Sequence, residues 1–167
     1  MSNKLVKFTP SVSYRGNVKL SIVTDNGEIL RSEVHNKGTG DLFKFISRSL
    51  CGESVFSSAP NKVDAINSDE QSVISGGVGI SDRRYEEFGD GLGWSAVFRA
   101  TIPNRIKLNN ISGVITFQIK YVDESQVVGA NEIVFAEINA DSQMLNQLAP
   151  GTSLTIEWVM NFSNAEE

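Results

Sequence analysis

The chain has 167 residues, of which 40% are hydrophobic, and this length suits one domain that folds without disulfides or metals. Its 20 acidic and 15 basic residues give a net charge of −5, which argues against binding to a nucleic-acid backbone. Because Cys51 is the single cysteine, an internal disulfide is excluded, and the sequence carries no signal of its redox compartment.

Neither a membrane span nor a secretory signal is indicated. The apolar runs are far shorter than the roughly 20 residues that cross a bilayer, so no membrane partner is expected. Residues 1–16 lack the apolar core of a signal peptide, and we expect synthesis in a cytoplasm. We predict that 1–16 form an N-terminal arm and that 17–167 form a single domain.

The first predicted element is a β-hairpin. Val18, Leu20 and Ile22 alternate with polar residues, as in a strand with one buried face. The Asp-Asn-Gly sequence at 25–27 suits a tight turn, because Asn and Gly tolerate positive φ. The segment 29–35 is predicted to return as the second strand.

A single α-helix is predicted from Asp41 to Cys51. Thr39 is a suitable N-cap, Asp41 favours the positive end of the helix, and Gly52 suits the left-handed position that ends many helices. The apolar side chains form a stripe that is predicted to cover the open side of a sheet. The residues of this stripe are Leu42, Phe43, Ile46 and Leu50.

The segment 55–93 is rich in Ser, Gly, Asn and Asp, and we predict a long loop insertion that forms an exposed contact region. Two short apolar pieces, 63–65 and 78–80, are candidate edge strands. Large aromatic and arginine side chains concentrate binding energy at protein interfaces. The candidate partner contacts, all predicted in loops or the arm, are Tyr14, Arg83, Arg84, Tyr85 and Phe88.

Four clearer strands are predicted in the second half, at 94–102, 115–121, 132–138 and 154–162. Trp94 and Trp158 lie in these alternating runs and are predicted to be core residues. One helical turn is predicted between Ser142 and Leu148. Six to eight strands with one helix predict a mainly β fold: an antiparallel β-sandwich, jelly-roll or immunoglobulin-like, with the short helix covering the core.

Residues that carry reaction chemistry are scarce. His35 is the only histidine, so any Ser-His-Asp or Cys-His scheme must use it, and we favour a structural or solvated role. Cys51 is predicted to be a buried core cysteine. Glu132 and Glu137 are candidates for the carboxylate pair of a glycosidase, which needs the two groups roughly 5 to 9 Å apart. We predict no enzyme activity.

No cofactor or metal is predicted. Oxygen ligands for calcium exist in the segment 82–90, but their spacing matches no loop of defined geometry, and a solvated acidic loop is favoured. The glycines of SGGVGIS lack the Lys-Ser/Thr ending of a phosphate-binding loop. The acidic residues in question are Asp82, Glu86, Glu87 and Asp90.

Two segments resemble parts of virion proteins of tailed bacteriophages. The first, HNKGTGDLFKFISRSLCGE at 35–53, has the His-Asn-x-Gly-Thr turn and the Leu-Phe-x-Phe helix that ends in Leu-x-Gly. The second, LTIEWVMNFSN at 154–164, resembles the final strand. The matching positions are His35, Asn36, Gly38, Thr39, Leu42, Phe43, Phe45, Leu50, Gly52, Ile156 and Trp158.

The resemblance implies a non-enzymatic virion structural protein with no catalytic residues, present in multiple copies or as a homo-oligomer beside other virion proteins. The leading hypothesis is a head-shell protein, of the auxiliary, decoration or head-fibre attachment kind, that binds through its loops and N-terminal arm. One alternative is a tail or neck component. Another is a carbohydrate-binding β-sandwich, which would use Trp94, Trp158 and Tyr121 as stacking platforms.

Overall fold

The computed structural model of the protein describes residues 12–24, 26–74, 76–103, 113–123, 132–149 and 151–164. Within these ranges the chain forms nine strands, two short α-helices and a 3-10 turn at Phe56–Ser58. The strands are β1 (Val12–Val23), β2 (Ile29–Gly38), β3 (Lys62–Ile66), β4 (Val78–Gly79), β5 (Asp82–Phe88), β6 (Gly93–Pro103), β7 (Val114–Val122), β8 (Glu132–Asp141) and β9 (Ser153–Asn164). The helices are α1 (Gly40–Leu50) and α2 (Ser142–Leu145).

The strands form two antiparallel sheets, so the predicted β-sandwich is confirmed. The larger sheet has the order β2-β1-β9-β6-β5, and the smaller has the order β4-β3-β7-β8. The end of β2 pairs with β8 at Lys37↔Glu137 and Gly38↔Ala136, which joins the two sheets at one corner. The first strand, β1, lies beside the last, β9, inside the larger sheet.

One hydrophobic core lies between the sheets. Alternate residues of a strand point to the same face, so each sheet contributes one apolar face. Among the largest fully buried side chains, Leu20, Ile102 and Trp158 come from the larger sheet, while Phe117 and Phe135 come from the smaller sheet. The prediction that Trp158 is a core residue is confirmed.

The predicted hairpin is confirmed as β1 and β2. The Thr24 N–H donates to the Glu28 carbonyl at 2.9 Å, and Gly27 has φ +79° in the turn between them. The four strands predicted in the second half correspond to β6, β7, β8 and β9, and the single helical turn corresponds to α2.

The helix α1 begins immediately after the corner at which β2 crosses to the smaller sheet. The Leu42 N–H donates to the Thr39 hydroxyl oxygen at 3.3 Å, so Thr39 is the N-cap as predicted. The Thr39 hydroxyl lies 2.5 Å from the Val134 carbonyl oxygen. The backbone N–H of Thr39 donates to the Phe135 carbonyl at 2.9 Å. The cap therefore anchors the start of the helix to β8.

The predicted apolar stripe is only half correct. Leu42 is buried and Ile46 is half-buried, but Phe43 is 48% exposed and Leu50 is 83% exposed. The helix contacts the core through Leu42, Phe45 and Ile46, and Phe45 packs edge-on against a phenylalanine ring of β8 at 5.3 Å. At about 100° per residue, Phe43 and Leu50 lie roughly 80° to 100° around the helix from Leu42, on its flank.

Two predicted boundaries differ from the structure. Residues 12–16, predicted to belong to an arm, continue β1 alongside β9. The segment 55–93 is not mostly loop, because it contains β3, β4 and β5 and includes the buried side chains of Val55, Val63 and Ile74. The candidate strands at 63–65 and 78–80 correspond to β3 and β4, whereas β5 is highly charged, so hydrophobic alternation did not reveal it. Cys51, predicted to be buried, is exposed beyond the end of α1.

Candidate contact surface on the open edge of the larger sheet

The strand β5 is the last strand of the larger sheet, and β6 is its only strand neighbour among the described residues. Six of its seven residues are exposed. An edge strand presents unpaired backbone N–H and C=O groups, which can pair with a strand of another chain. Within the segment 55–93, β5 is thus the part best suited to contact a partner. We call β5 together with Trp94 of β6 the edge surface.

Two aromatic rings dominate the edge surface. Tyr85 is 80% exposed and Trp94 is 52% exposed, and their ring centroids lie 5.9 Å apart with planes inclined at 45°. Trp94 was predicted to be a core residue, and this is wrong. It lies on the core-facing side of β6, in register with Phe162 of β9, but at an end of the sheet where its ring stays partly in water. Each such ring can bury on the order of 150 to 250 Å² at an interface.

An aromatic row connects the edge surface to helix α1. The register places Trp94 beside Phe162, and Phe162 beside Tyr14 of β1. The Tyr14 ring lies 5.5 Å from Phe162 and 6.1 Å from Phe43. Tyr14 is therefore a half-buried strand residue that supports this row, and it is not a residue of a free arm.

Burial also explains the electrostatics of Tyr14. Desolvation raises the pKa of its hydroxyl above the usual value, while a hydrogen bond donated by the Asn36 amide at 3.1 Å partly opposes this increase. Tyr14 therefore remains a neutral phenol at physiological pH.

The opposite side of β5 carries an ordered set of charges. Arg84 lies 3.1 Å from Asp82, 3.5 Å from Glu86 and 3.8 Å from Glu157 of β9. Desolvation lowers the pKa of Arg84, but the attraction of Glu157, Glu86 and Asp82 outweighs it, so the pKa is raised. The strand register extends this pattern into a row of alternating charge across the sheet. Its members are Glu33, Lys19, Glu157, Arg99 and Asp82.

The structure brings together only some of the predicted contact residues. Arg83, Arg84 and Tyr85 share β5, with Arg83 and Tyr85 pointing to the side that carries Trp94. Phe88 points to the other side and lies over Gly93, where a Cβ would come within 2.7 Å of its ring. Phe88 is therefore half-buried packing at the end of the strand. Sequence reasoning missed Trp94, because alternation in β6 shows the side to which the ring points but not whether that ring is covered.

A polar groove of about 510 Å³ lies on the outer face of the larger sheet, beside Phe88. His35 of β2 lines this groove, and its Nδ1 lies 2.6 Å from the Asn17 amide oxygen. In the same groove, the Asn161 amide oxygen accepts a hydrogen bond from the Ser95 hydroxyl at 2.5 Å. Amides therefore fix the polar side chains here, and an amide, not a carboxylate, orients the histidine ring.

All of the acidic candidates except Asp90 lie on strands. Glu132 lies 3.2 Å from Lys120 Nζ, and Glu137 accepts a hydrogen bond from Gln118 at 3.3 Å, so each faces β7. Asp90 lies in the turn that follows β5, with φ +53°. Among the described residues, no group of three or more His, Cys, Asp or Glu side chains is arranged to hold a metal ion. Neither helix in the described ranges has the length and apolar character required to cross a membrane.

The class that the fold defines is an antiparallel β-sandwich with one short helix at the corner between its sheets. Comparisons with protein-family models, with curated proteins and with solved structures found no match to the chain.

Proposed function

We propose that the chain is a non-enzymatic structural protein of a tailed-phage virion that binds a neighbouring virion protein through its edge surface. The head shell is the proposed location, in an auxiliary, decoration or head-fibre attachment role; the tail or neck is the alternative. The observation that carries the proposal is the open strand β5 with the exposed rings of Tyr85 and Trp94 beside it. The resemblance of 35–53 and 154–164 to virion proteins supports the assignment to a virion.

The partner that fits this surface is an extended strand. A strand added to a sheet edge gains backbone hydrogen bonds, and side chains on alternate positions then supply specificity. On the edge surface, Tyr85 and Trp94 supply the apolar contact on one side, while Arg84 and its acidic neighbours line the other side. Charges on an edge discourage arbitrary pairing, so a partner strand must present complementary charges.

The test uses particles assembled without this chain, to which purified chain is added back. We expect the chain to bind these particles and to be present in purified virions. The double variant Tyr85→Ala/Trp94→Ala should bind at least about 10-fold more weakly, because exposed aromatic anchors carry much of the energy of an interface. Leu50→Ala is the control, since Leu50, at 83%, is about as exposed as Tyr85, at 80%, but lies on α1.

Three results would contradict the proposal. Absence of the chain from purified virions would exclude the virion role. Binding that is unchanged in the double variant, or equally weakened by Leu50→Ala, would exclude the edge surface as the contact. If the chain binds to itself and not to the particle, the partner of the edge surface is a second copy of this chain, and the proposed virion partner is excluded.

A carbohydrate-binding module is the second candidate, and the exposed ring of Trp94 favours it. Because Trp158 is fully buried, it cannot serve as a stacking platform for a sugar. In a Trp158→Phe variant, Trp94 is the only remaining indole and reports directly on its surroundings. A shift of its fluorescence on addition of host-surface glycans would favour this candidate, and unchanged emission in a folded variant would dismiss it.

A further inference from the structure

The smaller sheet carries a buried charged pair on its outer face. Asp64 of β3 alternates with Val63 and Ala65, which face the core, so its side chain points outward. Asp64 and Lys120 of β7 nevertheless retain only 1% and 2% of their accessible surface. Lys and Asp are almost never fully buried unless they are paired. This site is independent of the edge surface.

The segment between β3 and β4 folds back over this pair. The Ser72 hydroxyl donates to Asp64 Oδ1 at 2.6 Å, and the Gly76 N–H donates to the Ser72 oxygen at 2.9 Å. The Val73 N–H donates to the Ala65 carbonyl at 2.9 Å. The covering segment is thus fixed by hydrogen bonds, one of which reaches Asp64 itself.

Three ionisable side chains from three adjacent strands meet at this site. Lys120 Nζ lies 2.6 Å from Asp64 Oδ2 and 3.2 Å from Glu132 Oε1 of β8. The other Asp64 oxygen, Oδ1, accepts the Ala65 N–H at 2.8 Å in addition to the Ser72 hydroxyl. One carboxyl oxygen therefore faces the amine, and the other is held by two donors. Glu132 keeps 47% of its side chain exposed and connects the site to solvent.

We propose that Lys120 and Asp64 form an intramolecular isopeptide bond, with Glu132 as the group that transfers protons. The neutral Lys120 amine attacks Cγ of the protonated Asp64 carboxyl, and a C–N bond forms. The Glu132 carboxylate accepts a proton from the attacking nitrogen and delivers it to the departing hydroxyl. The C–O bond breaks and one water leaves. The ammonium and carboxylate become one neutral amide, and no oxidant or other reactant is consumed.

Each requirement of this reaction has a counterpart in the site. Holding the nucleophile against the carboxyl replaces a bimolecular encounter, which is a large part of the barrier to amide formation. Transfer of a proton across the 2.6 Å contact from Lys120 Nζ to Asp64 Oδ2 would give the neutral amine and acid that react. The Ala65 N–H and the Ser72 hydroxyl are positioned to stabilise negative charge on Oδ1 in the tetrahedral intermediate.

The bond would tie β3 to β7 directly. In a chain with one cysteine, it would restrict the unfolded state in the way a disulfide does, without depending on redox conditions.

The intact mass of the folded full-length chain tests the proposal. We expect a mass lower than that of the sequence by one water. Trypsin should fail to cleave after Lys120, and a branched peptide should join Lys120 to the peptide that contains Asp64. A full sequence mass would overturn the proposal. Loss of water without the branched peptide, as in an aspartyl succinimide, would overturn it equally.

Single substitutions test the role of Lys120 as the nucleophile and of Glu132 as the group that transfers protons. Lys120→Arg keeps the charge but should restore the full mass, while Lys19→Arg, an exposed control, should keep the loss of water. Glu132→Gln should form the link about 100-fold more slowly or not at all, because it cannot transfer the proton. Loss of water that persists in Lys120→Arg would exclude Lys120, and linkage at the wild-type rate in Glu132→Gln would exclude Glu132. Because the wild-type mass is itself decisive, the test does not depend on the folding of any variant.

Discussion

The two tryptophans belong to neighbouring strands with the same alternating pattern, yet they have opposite environments. Trp158 of β9 is fully buried, whereas Trp94 of β6 is 52% exposed. Both side chains point to the core-facing side of the larger sheet, because Phe98 pairs with Trp158 and Trp94 pairs with Phe162 along the same two strands. Alternation therefore determines the side to which a residue points, but the opposing layer determines whether that residue is covered.

The largest expected difference in the free energy of unfolding is between the alanine variants of the two tryptophans. Trp158→Ala should lower the free energy of unfolding by about 3 to 5 kcal/mol, because it removes a large ring from a packed core. Trp94→Ala should lower it by no more than about 1 kcal/mol, since half of that ring is already in water. Urea unfolding of the two variants measures both values. Equal losses would mean that Trp94 is a core residue after all.

Two leucines of α1 give a matched comparison within one helix. Leu42→Ala should cost about 2 to 5 kcal/mol, because Leu42 is 4% exposed and fills the corner between the sheets. Leu50→Ala should change stability by less than about 0.5 kcal/mol, because Leu50 is 83% exposed. Thermal or urea unfolding decides between this orientation of the helix and the predicted stripe, which requires both variants to be strongly destabilised.

The smallest expected difference between two compared proteins concerns Tyr14, at the inner end of the aromatic row. Tyr14→Phe should cost about 1 kcal/mol at neutral pH through loss of the hydrogen bond with Asn36. Since folding raises the pKa of Tyr14 above the usual 10.0, the stability that the neutral phenol contributes is complete below that pH. It is lost as pH rises through the raised pKa of the folded protein.

The gap in stability between the wild type and Tyr14→Phe should therefore narrow above pH 10.0. Paired urea titrations at neutral and alkaline pH measure this gap, and the titration of lysines cancels between the two proteins. A gap that stays constant would mean that Tyr14 is not desolvated.

Much of the local structure was predictable because its causes are local. The Asn-Gly turn, the Thr39 cap and the glycine that ends α1 each depend on a few neighbouring residues, and all three are confirmed. The long strands β6, β7 and β9 were predictable because apolar and polar residues alternate along them, and β8 because its segment is largely apolar. Of the candidate site, the sequence indicated Arg83, Arg84 and Tyr85 but placed them in a loop.

What only the tertiary structure decided is which surfaces are covered. The sequence by itself determined a mainly β chain with one capped helix, since turn chemistry, capping and alternation all depend on near neighbours. It could not determine that the smaller sheet leaves Trp94 in water, that α1 turns Leu50 away from the core, or that Ser72 closes over Asp64 and Lys120. Burial depends on residues far apart in the chain, such as the 56 positions that separate Asp64 from Lys120, and their meeting is set by how the strands are ordered in the sheets.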